Sequence, residues 1–299
     1  MATGSDAVIG LETTPTIAAV FIAEHWMSNV QLATRKEQVL AGTVDTQYEG
    51  QMSSGRIAHI AHALNTTPTA KSDNTVVVPD AATPTNQEVT VDQYYYSAVN
   101  VQFATETQDT LGYSDIMAGQ LGYALQGQIE TTLAGLPDGL TTNTVGTFGQ
   151  ELTMDDWESI WQKMQVGLAK KENRYAWLSS AAISAVRKLG TPISGDFTKT
   201  NLGALDMATI GMFLGFKIIE SQYLESPAAG QHDNGVHQKE QYILVRQKRP
   251  TVERDRILGD LSTLIIAWEL FGTAERQIIA EATGSETLTD AHGVWVKSV

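Results

Sequence analysis

The clearest hydrophobic pattern in the chain is a strict alternation from Val89 to Phe103. Most odd positions are Val, Tyr or Phe, whereas the even positions include Thr90, Asp92 and Asn100. A period of two predicts a β-strand. Fifteen residues at about 3.3 Å each would extend about 50 Å, while a compact chain of this length has a radius of gyration of about 19 Å. The strand therefore either bends sharply or projects from the body as an arm.

The residues before this strand have the composition of a loop tip. The stretch 65–87 is rich in Thr, Asn, Ala and Pro, and it holds one short strand-like run, Thr75–Val78. A loop of this length is rarely structureless inside a compact domain. We therefore expect it to be functional, mobile or docked on something else, with Gly55–Leu64 as the outgoing limb of the same arm.

A long helix is predicted next, over Asp115–Leu136, with Ser114 as its cap. Gly135, Pro137 and Gly139 would end it. Apolar residues every four positions drift around a helix that turns every 3.6 residues, so we expect this helix to contact different elements along its length. The ladder consists of Met117, Leu121, Leu125, Ile129 and Leu133.

From about Thr141 the pattern changes to alternating helices and strands. Thr153 and Asp156 form a capping box, with Asp in place of Glu, at the start of an amphipathic helix. The apolar face of this helix holds Trp157, Ile160, Trp161, Met164 and Leu168. The further predictions are strands at Tyr175–Ser179, Phe216–Glu220, Tyr242–Arg246, Thr263–Phe271, Arg276–Ala282 and Val294–Val296, helices at Ala181–Leu189 and Met207–Leu214, and a polar loop at Ala228–Gln238.

The net charge of −14 is concentrated in one third of the 299-residue chain. The stretch from Ser72 to Gln162 holds thirteen acids and no Lys or Arg. Its potential repels polyanions, which argues against sequence-specific nucleic-acid binding through this third. The one basic cluster lies near the C-terminus. We expect its side chains to be solvated or to form salt bridges between subunits, and phosphate binding is the alternative. It consists of Arg246, Lys248, Arg249, Arg254 and Arg256.

Composition and motifs give little support to catalysis. The absence of cysteine excludes disulfides, thiolate metal sites and Cys nucleophiles, and we find no phosphate-loop, dinucleotide-binding, nucleophile-elbow or zinc-protease motif. No apolar run approaches the ~20 residues of a membrane span, and no basic segment precedes Arg35, so we expect a soluble protein that is not secreted.

Three groups of side chains could still carry chemistry. The histidine pairs His59/His62 and His232/His237 could assemble a metal site, but no carboxylate lies at ligand spacing beside them. The acids Asp155, Asp156 and Glu158 fit the favourable charge of a helix start better than acid/base catalysis. Tyr94, Tyr95 and Tyr96 cannot form one stacking surface, because a strand alternates its faces. We predict no cofactor, no metal and no enzyme activity.

The order of elements resembles one family. VDTQYEGQMSSGRIAHIAHAL, a Thr/Pro-rich excursion, EVTVDQYYYSAVNVQFA, ATETQDTLGYSDIMAGQLGYALQGQIETTLAGL, LTMDDWESIWQKM, RYAWLSSAAISAVRKL, GMFLGFKIIES and EQYILVRQKRP…LIIAWELFGTAERQIIAE follow one another. This layout, over nearly the whole chain, resembles the major capsid (coat) proteins of tailed double-stranded DNA bacteriophages, which have the α+β Hong Kong 97-like fold.

The resemblance implies a domain assignment. Residues 1–50 would be the N-terminal arm, 51–104 the E-loop arm, 105–145 the spine helix of the P-domain, 146–249 the A-domain, and 250–299 the part that completes the P-domain. In this family the E-loop lies over a neighbouring subunit. The spine and E-loop occur too early for a long cleaved scaffolding region, so a separate scaffolding protein, or none, is implied. Lys71 is the only Lys of the loop, but nothing supports a covalent crosslink there.

The resemblance also implies the function and the partners. The chain would be a non-enzymatic shell subunit that forms hexamers and pentamers of an icosahedral virion capsid around DNA, in the cytoplasm of a bacterial host. Its partners would be other copies, a portal, scaffolding and decoration proteins, with no membrane. The alternatives are an encapsulin-like nanocompartment shell and a soluble α+β metal-dependent enzyme. The candidate inter-subunit residues are Arg56, Lys71, Asp80, Glu88, Tyr95, Arg246, Arg249, Arg254 and Arg256.

The uneven charge generates one prediction. If acidic arm and spine surfaces meet basic C-terminal surfaces of neighbouring subunits, salt should weaken assembly. At about 1 M salt the Debye length falls to ~3 Å, which screens such contacts. The light scattering that reports assembly should therefore be lower at 1 M salt than at low salt. Assembly that is insensitive to salt would contradict the charge hypothesis.

Overall fold

The computed structural model describes residues 35–62, 68–78, 85–109, 112–189, 211–224, 231–279, 288–289 and 292–298. The helices are α1 (Phe103–Gln108), α2 (Tyr113–Ala134), α3 (Met154–Val166) and α4 (Ser180–Lys188). The strands are β1 (Ile57–His62), β2 (Thr85–Thr90), β3 (Gln93–Gln102), β4 (Thr144–Gly146), β5 (Arg174–Leu178), β6 (Met212–Phe213), β7 (Phe216–Glu220), β8 (His232–Gln238), β9 (Tyr242–Ile257), β10 (Ser262–Glu275), β11 (Ile278–Ile279), β12 (Leu288–Thr289) and β13 (Gly293–Ser298).

The strands form four sheets. β1 and β2 make an antiparallel hairpin, and β11 and β12 make a second small pair. A three-stranded antiparallel sheet has the order β3-β10-β9, and a six-stranded mixed sheet has the order β4-β13-β8-β5-β7-β6. Among the described residues, no helix is both long and apolar enough to cross a bilayer.

The predicted strand Val89–Phe103 is two strands that belong to different sheets. The alternation is confirmed, since Val89, Val91 and Val101 are buried and the even residues of β3 are exposed. The break falls at Val91, whose backbone N–H donates to the Arg56 carbonyl at 2.8 Å. The chain crosses β10 there, at Gly272, where a Cβ would lie 2.3 Å from the Thr90 carbonyl oxygen. Glycine thus permits the close crossing that separates the hairpin from β3.

The long helix α2 confirms the ladder but corrects its cap. It begins at Tyr113 rather than Asp115, after Gly112 in the left-handed region (φ 72°), and Ser114 does not cap it. The contacts change along the helix as the drift predicts. Leu121 and Leu125 pack on β3 and β10, whereas Ile129 and Leu133 join a cluster with Leu40, Trp177, Tyr242 and Phe271.

The six-stranded sheet has both faces covered. On one face α3 and α4 pack Trp157, Ile160, Met164, Ile183 and Val186 against it. The predicted capping box of α3 is confirmed, because Thr153 accepts from Asp156 N and Asp156 accepts from Thr153 N. The opposite face carries Trp177 and packs toward the end of α2.

The predicted loop Ala228–Gln238 is wrong for its described part, since His232–Gln238 forms the buried strand β8 between β13 and β5. The polar residues of β8 are accommodated inside the chain. Asn234 accepts from Ser179 N at 2.7 Å and donates to Ser298 Oγ at 2.9 Å. His237 packs against Trp177 and Tyr242 at centroid distances of 4.2 and 4.7 Å. Burial lowers the pKa of His237 to about 3, so the ring is neutral.

Two short predictions are also corrected. Met207–Leu214 was expected to be a helix. Residues 207–210 lie outside the described residues, and Met212–Phe213 pairs with β7 as strand β6. Leu214 and Gly215, with φ of 46° and 85°, form the two-residue turn between these strands. The strand-like run Thr75–Val78 forms no strand with any residue that the structure describes.

A buried carboxyl in the three-stranded sheet is left without a hydrogen bond. Glu269 of β10 is fully buried opposite Tyr95, and neither oxygen accepts from any residue that the structure describes. Burial raises the pKa of Glu269 to about 7, although the nearby Arg246 lowers it. The folded chain therefore holds this carboxyl largely protonated below neutral pH.

Glu269→Gln should remove a pH dependence of stability. The ordinary pKa of the Glu269 carboxyl is 4.5, and its pKa in the folded chain is about 7. The folded state therefore binds this proton more tightly than the unfolded chain does, which stabilises the folded state at low pH. Wild-type subunit should lose stability from Glu269 as the pH rises from about 4.5 to 7, by up to about 3 kcal/mol. Urea unfolding of unassembled subunit at pH 5.5 and pH 8 measures this. The variant should show a smaller decrease; an equal decrease in both proteins would contradict the assignment.

Candidate assembly interface

The β1–β2 hairpin presents an exposed apolar tip. Its described segment, residues 68–78, is exposed throughout. Val76, Val77 and Val78 have exposed fractions of 88%, 70% and 85%. Three consecutive solvent-facing valines are unfavourable in an isolated chain and favour contact with another surface. Lys71 lies exposed in the same segment, and Asp80 lies outside the described residues.

The base of the hairpin carries polar surface groups. Arg56 is exposed immediately before β1. Glu88 of β2 lies opposite His59 of β1, with 3.4 Å between Glu88 Oε1 and His59 Nδ1. Asn86 Nδ2 also lies 2.8 Å from this ring nitrogen. Both side chains are more than half exposed, and exposed polar contacts of this kind contribute little to stability.

The segment from residue 39 to residue 52, here called the strap, is held in the body by a buried carboxylate that no sequence motif marks. Glu130 of α2 is fully buried. It accepts backbone N–H bonds from Val39, Leu40 and Ala41 at 3.2, 2.8 and 3.0 Å. These N–H groups begin the short 3₁₀ helix Leu40–Gly42 and have no other acceptor within such a helix. Glu130 therefore anchors the strap to the long helix.

The strap continues along β9 and across β5. Trp177 Nε1 donates to Thr43 Oγ1 at 2.8 Å. Asp45 makes a parallel bridge to Ile243, and its backbone exchanges hydrogen bonds with Tyr242 and Leu244 at 2.9 Å. The strap thus contacts both large sheets of the chain.

The basic cluster is largely engaged within the same chain. Arg246 Nε lies 2.5 Å from Glu49 Oε1, and Arg249 lies 3.0 Å from Glu49 Oε2. Arg254 pairs with Asp115 of α2. Arg256 lies over the Phe103 ring at 5.6 Å. Arg249 remains 73% exposed, so its side chain keeps surface for another partner.

The three tyrosines divide between two faces, as predicted. Tyr95 is half-buried, stacks on Phe271 at 6.1 Å and donates to Gln93 Oε1 at 3.2 Å, so it packs within the chain. Tyr94 and Tyr96 lie on the opposite face and are 63% and 68% exposed. Tyr94 contacts Trp268 edge to face at 5.9 Å.

The described residues contain no group of three or more His, Asp or Glu side chains able to hold a metal. His237 is enclosed by aromatic rings, and His59 lies on the hairpin beside Asn86 and Glu88. The acids Asp155 and Asp156 lie in the first turn of α3, where Asp156 completes the capping box. The helix-start interpretation of Asp156 is confirmed.

No family model matches the chain, and no curated protein matches it. Solved structures do match. A structure of Mycobacterium phage Che8 is 22% identical, covering 92% of this chain and 97% of that one with a TM-score of 0.70. The capsid structure of cyanophage P-SCSP1u is 16% identical, covering 99% and 98% with a TM-score of 0.72. The capsid of a native GTA particle is 10% identical, covering 94% and 98% with a TM-score of 0.69.

These comparisons show the class of fold. The chain has the mixed α/β Hong Kong 97-like fold of phage capsid subunits, over nearly its whole length and nearly theirs. The fold predicted from the sequence is confirmed.

Glu130→Ala should release the strap. The N–H groups of Val39, Leu40 and Ala41 would lose their acceptor, at a cost of about 3 kcal/mol. Amide hydrogen exchange at Val39–Ala41 should rise strongly and the midpoint of urea unfolding should fall. Glu151→Ala is the matched control, because Glu151 forms an exposed pair with Lys188 whose loss costs little. Unchanged protection at Val39–Ala41 would contradict the anchoring role.

Proposed function

We propose that this protein is a major capsid protein whose copies form hexamers and pentamers of an icosahedral shell around double-stranded DNA. The observation that carries the proposal is the capsid fold across nearly the whole chain, together with a hairpin whose apolar tip is exposed. The shell would be that of a virion assembled in the cytoplasm of a bacterial host. The subunit would act by assembly and would not be an enzyme.

The sheets support a domain assignment that modifies the one implied by the resemblance. The A-domain would contain α3, α4 and the six-stranded sheet, which extends the bounds 146–249 to include β4 (Thr144–Gly146) and the C-terminal strand β13 (Gly293–Ser298). The P-domain would contain α2 with β3, β9 and β10. β3 pairs with β10, so we place the end of the E-loop at Val91 instead of residue 104. β9 runs unbroken from Tyr242 to Ile257, so the boundary at 249/250 falls within one strand.

The hairpin supplies a physical drive for assembly. Each buried valine side chain contributes roughly 1.5 kcal/mol or more, and every subunit would bury Val76, Val77 and Val78 on a neighbour. A head-to-tail contact of this kind, repeated around an axis, closes into rings. Further proposed partners are a portal, a scaffolding protein and decoration proteins. The packaged DNA would be enclosed without sequence-specific binding, because the acidic third of the chain repels phosphate.

The nanocompartment alternative shares the fold, so the geometry alone does not separate it. The similar structures reported above come from phage and GTA particles, which favours the viral proposal. Shells can be purified from a native producer and recognised by negative-stain microscopy. Nuclease-protected DNA inside them would indicate DNA packaging, and an enzyme inside them would indicate a nanocompartment. The metal-enzyme alternative has no supporting cluster among the described residues.

Shortening the hairpin should separate folding from assembly. His62 lies opposite Thr85, so replacing residues 63–84 by Asn-Gly closes β1 and β2 with a two-residue turn. We expect a subunit that folds, with near-native circular dichroism and thermal unfolding, but that yields few or no particles by size-exclusion chromatography.

A second variant keeps the loop length and changes only the apolar content of the loop. Val76→Ser, Val77→Ser and Val78→Ser together should reduce particle yield in the same direction, because these side chains carry the apolar surface of the described tip. Normal particles from the shortened variant would overturn the role proposed for the hairpin.

A further inference from the structure

Helix α3 begins in a negatively charged surface. Asp155 and Glu158 are exposed, and neither forms an ion pair with a residue that the structure describes. Asp156 is used by the capping box, and Glu151 pairs with Lys188 of α4. The start of α3 therefore carries two acids that remain available to a partner.

The chain just beyond the other end of α3 carries the opposite charge. Glu240 lies at the centre of this group, 3.0 Å from Lys170 Nζ and 3.5 Å from Arg276. The backbone N–H of Lys239 donates to the Asn173 carbonyl at 2.9 Å, which brings the turn after β8 to the same place. The basic end consists of Lys170, Lys171, Arg174, Lys239 and Arg276, against the acids Glu172 and Glu240.

The positive charge of the basic end exceeds what its acids can neutralise. Arg174 is buried, but it donates to the carbonyls of Ala169 and Lys170 at 2.6 and 2.8 Å instead of to a carboxylate. His292 adds no charge, because burial lowers its pKa to about 4. Lys170 keeps a side-chain exposed fraction of 66%. A net positive surface therefore remains in a chain whose net charge is −14.

Apolar side chains lie exposed between the two ends. Trp161 is 40% exposed, Val166 76% and Leu168 62%. Leu168 also has a left-handed backbone (φ 59°), which is unfavourable for a leucine. Exposed tryptophan beside apolar groups and flanking charges is typical of the anchor of a protein interface.

We propose that α3 and the loop after it form a head-to-tail docking surface for a second copy, in which the basic end of one subunit meets the acidic start of α3 in the next. Thirteen residues of helix place the two ends about 20 Å apart. Complementary surfaces at opposite ends of one element make a heterologous contact, which can close into a ring.

A second copy fits this surface better than a polyanion. A phosphate backbone would satisfy Lys170 and Lys171 but would leave Trp161, Val166 and Leu168 in water. Copies of net charge −14 also repel one another, so local pairing of opposite charges aids their approach. The inference rests on the proposed shell function and names a contact within its rings.

Charge reversal tests the contact. Asp155→Lys with Glu158→Lys, or Lys170→Glu with Lys171→Glu, should each place like charges together. Particle yield should fall about tenfold or more. The fourfold variant that combines both pairs restores complementarity and should recover most of the yield. Glu253→Lys with Asp255→Lys is the control for bulk charge, since both residues are exposed on β9.

Leu168→Gly separates docking from folding. Glycine adopts the left-handed backbone without strain, so thermal unfolding of the free subunit should occur at the same temperature or higher. Assembly should nevertheless fall, because an exposed apolar contact is lost. A subunit that is no less stable but assembles poorly is the result expected of a docking residue.

The outcomes distinguish this inference from the proposed function. If wild-type protein forms particles and both reversed pairs give the same particle yield as wild type, the docking surface is overturned and the shell proposal stands. The same conclusion follows if the Glu253/Asp255 control lowers the particle yield as much as the reversed pairs do. If wild-type protein forms no particles in its native producer, the shell proposal fails. Sedimentation equilibrium of the free subunit then tests the docking surface. Each reversed pair should weaken self-association, and the fourfold variant should restore it. Unchanged self-association would overturn the docking surface.

Discussion

A buried carboxylate holds together the helix and the two large sheets that the structure describes, by fixing a segment with little regular structure. Glu130 accepts three backbone N–H bonds at the start of the strap, residues 39–52. From there the strap reaches Trp177 in the six-stranded sheet and Ile243 in β9. Without this anchor, helix α2 and the two large sheets would share fewer contacts. The strap also leads directly into the hairpin, so its position sets where the arm leaves the body.

Charge pairing inside the chain changes the meaning of the basic cluster. The sequence made Arg246 and Arg254 candidates for contacts with another subunit. In the structure, Arg246 fixes the strap through Glu49 and Arg254 ties β9 to α2 through Asp115. Both pairs join segments that are far apart in sequence, so they contribute to tertiary arrangement. Lys170, Lys171 and Arg249 are among the basic residues that remain exposed.

The elements that could be predicted are those encoded by local patterns. The alternation from Val89 marked the buried and exposed faces correctly, and Thr153 with Asp156 marked the start of α3. The break at Val91 could not be predicted, because it depends on Gly272, which is distant in sequence and allows the chain to cross β10. Glu130 gave a weak signal, as an acid beside Ile129 on the apolar ladder. Its partners are backbone groups, which leave no pattern in a sequence.

Strand β8 shows why polarity alone predicts location poorly. Its residues look like a surface loop, yet every residue of the strand except Asp233 is buried. Asn234 satisfies a backbone N–H and a serine hydroxyl, and His237 is neutral among aromatic rings. Buried polar groups need partners at fixed positions, so they help to specify one register of the sheet. The surface of the same unit is less constrained, because the exposed Trp161 and Leu168 have no comparable partners among the described residues. The exposed apolar side chains of α3 and of the loop after it therefore leave unfavourable free energy at that surface, where association can relieve it.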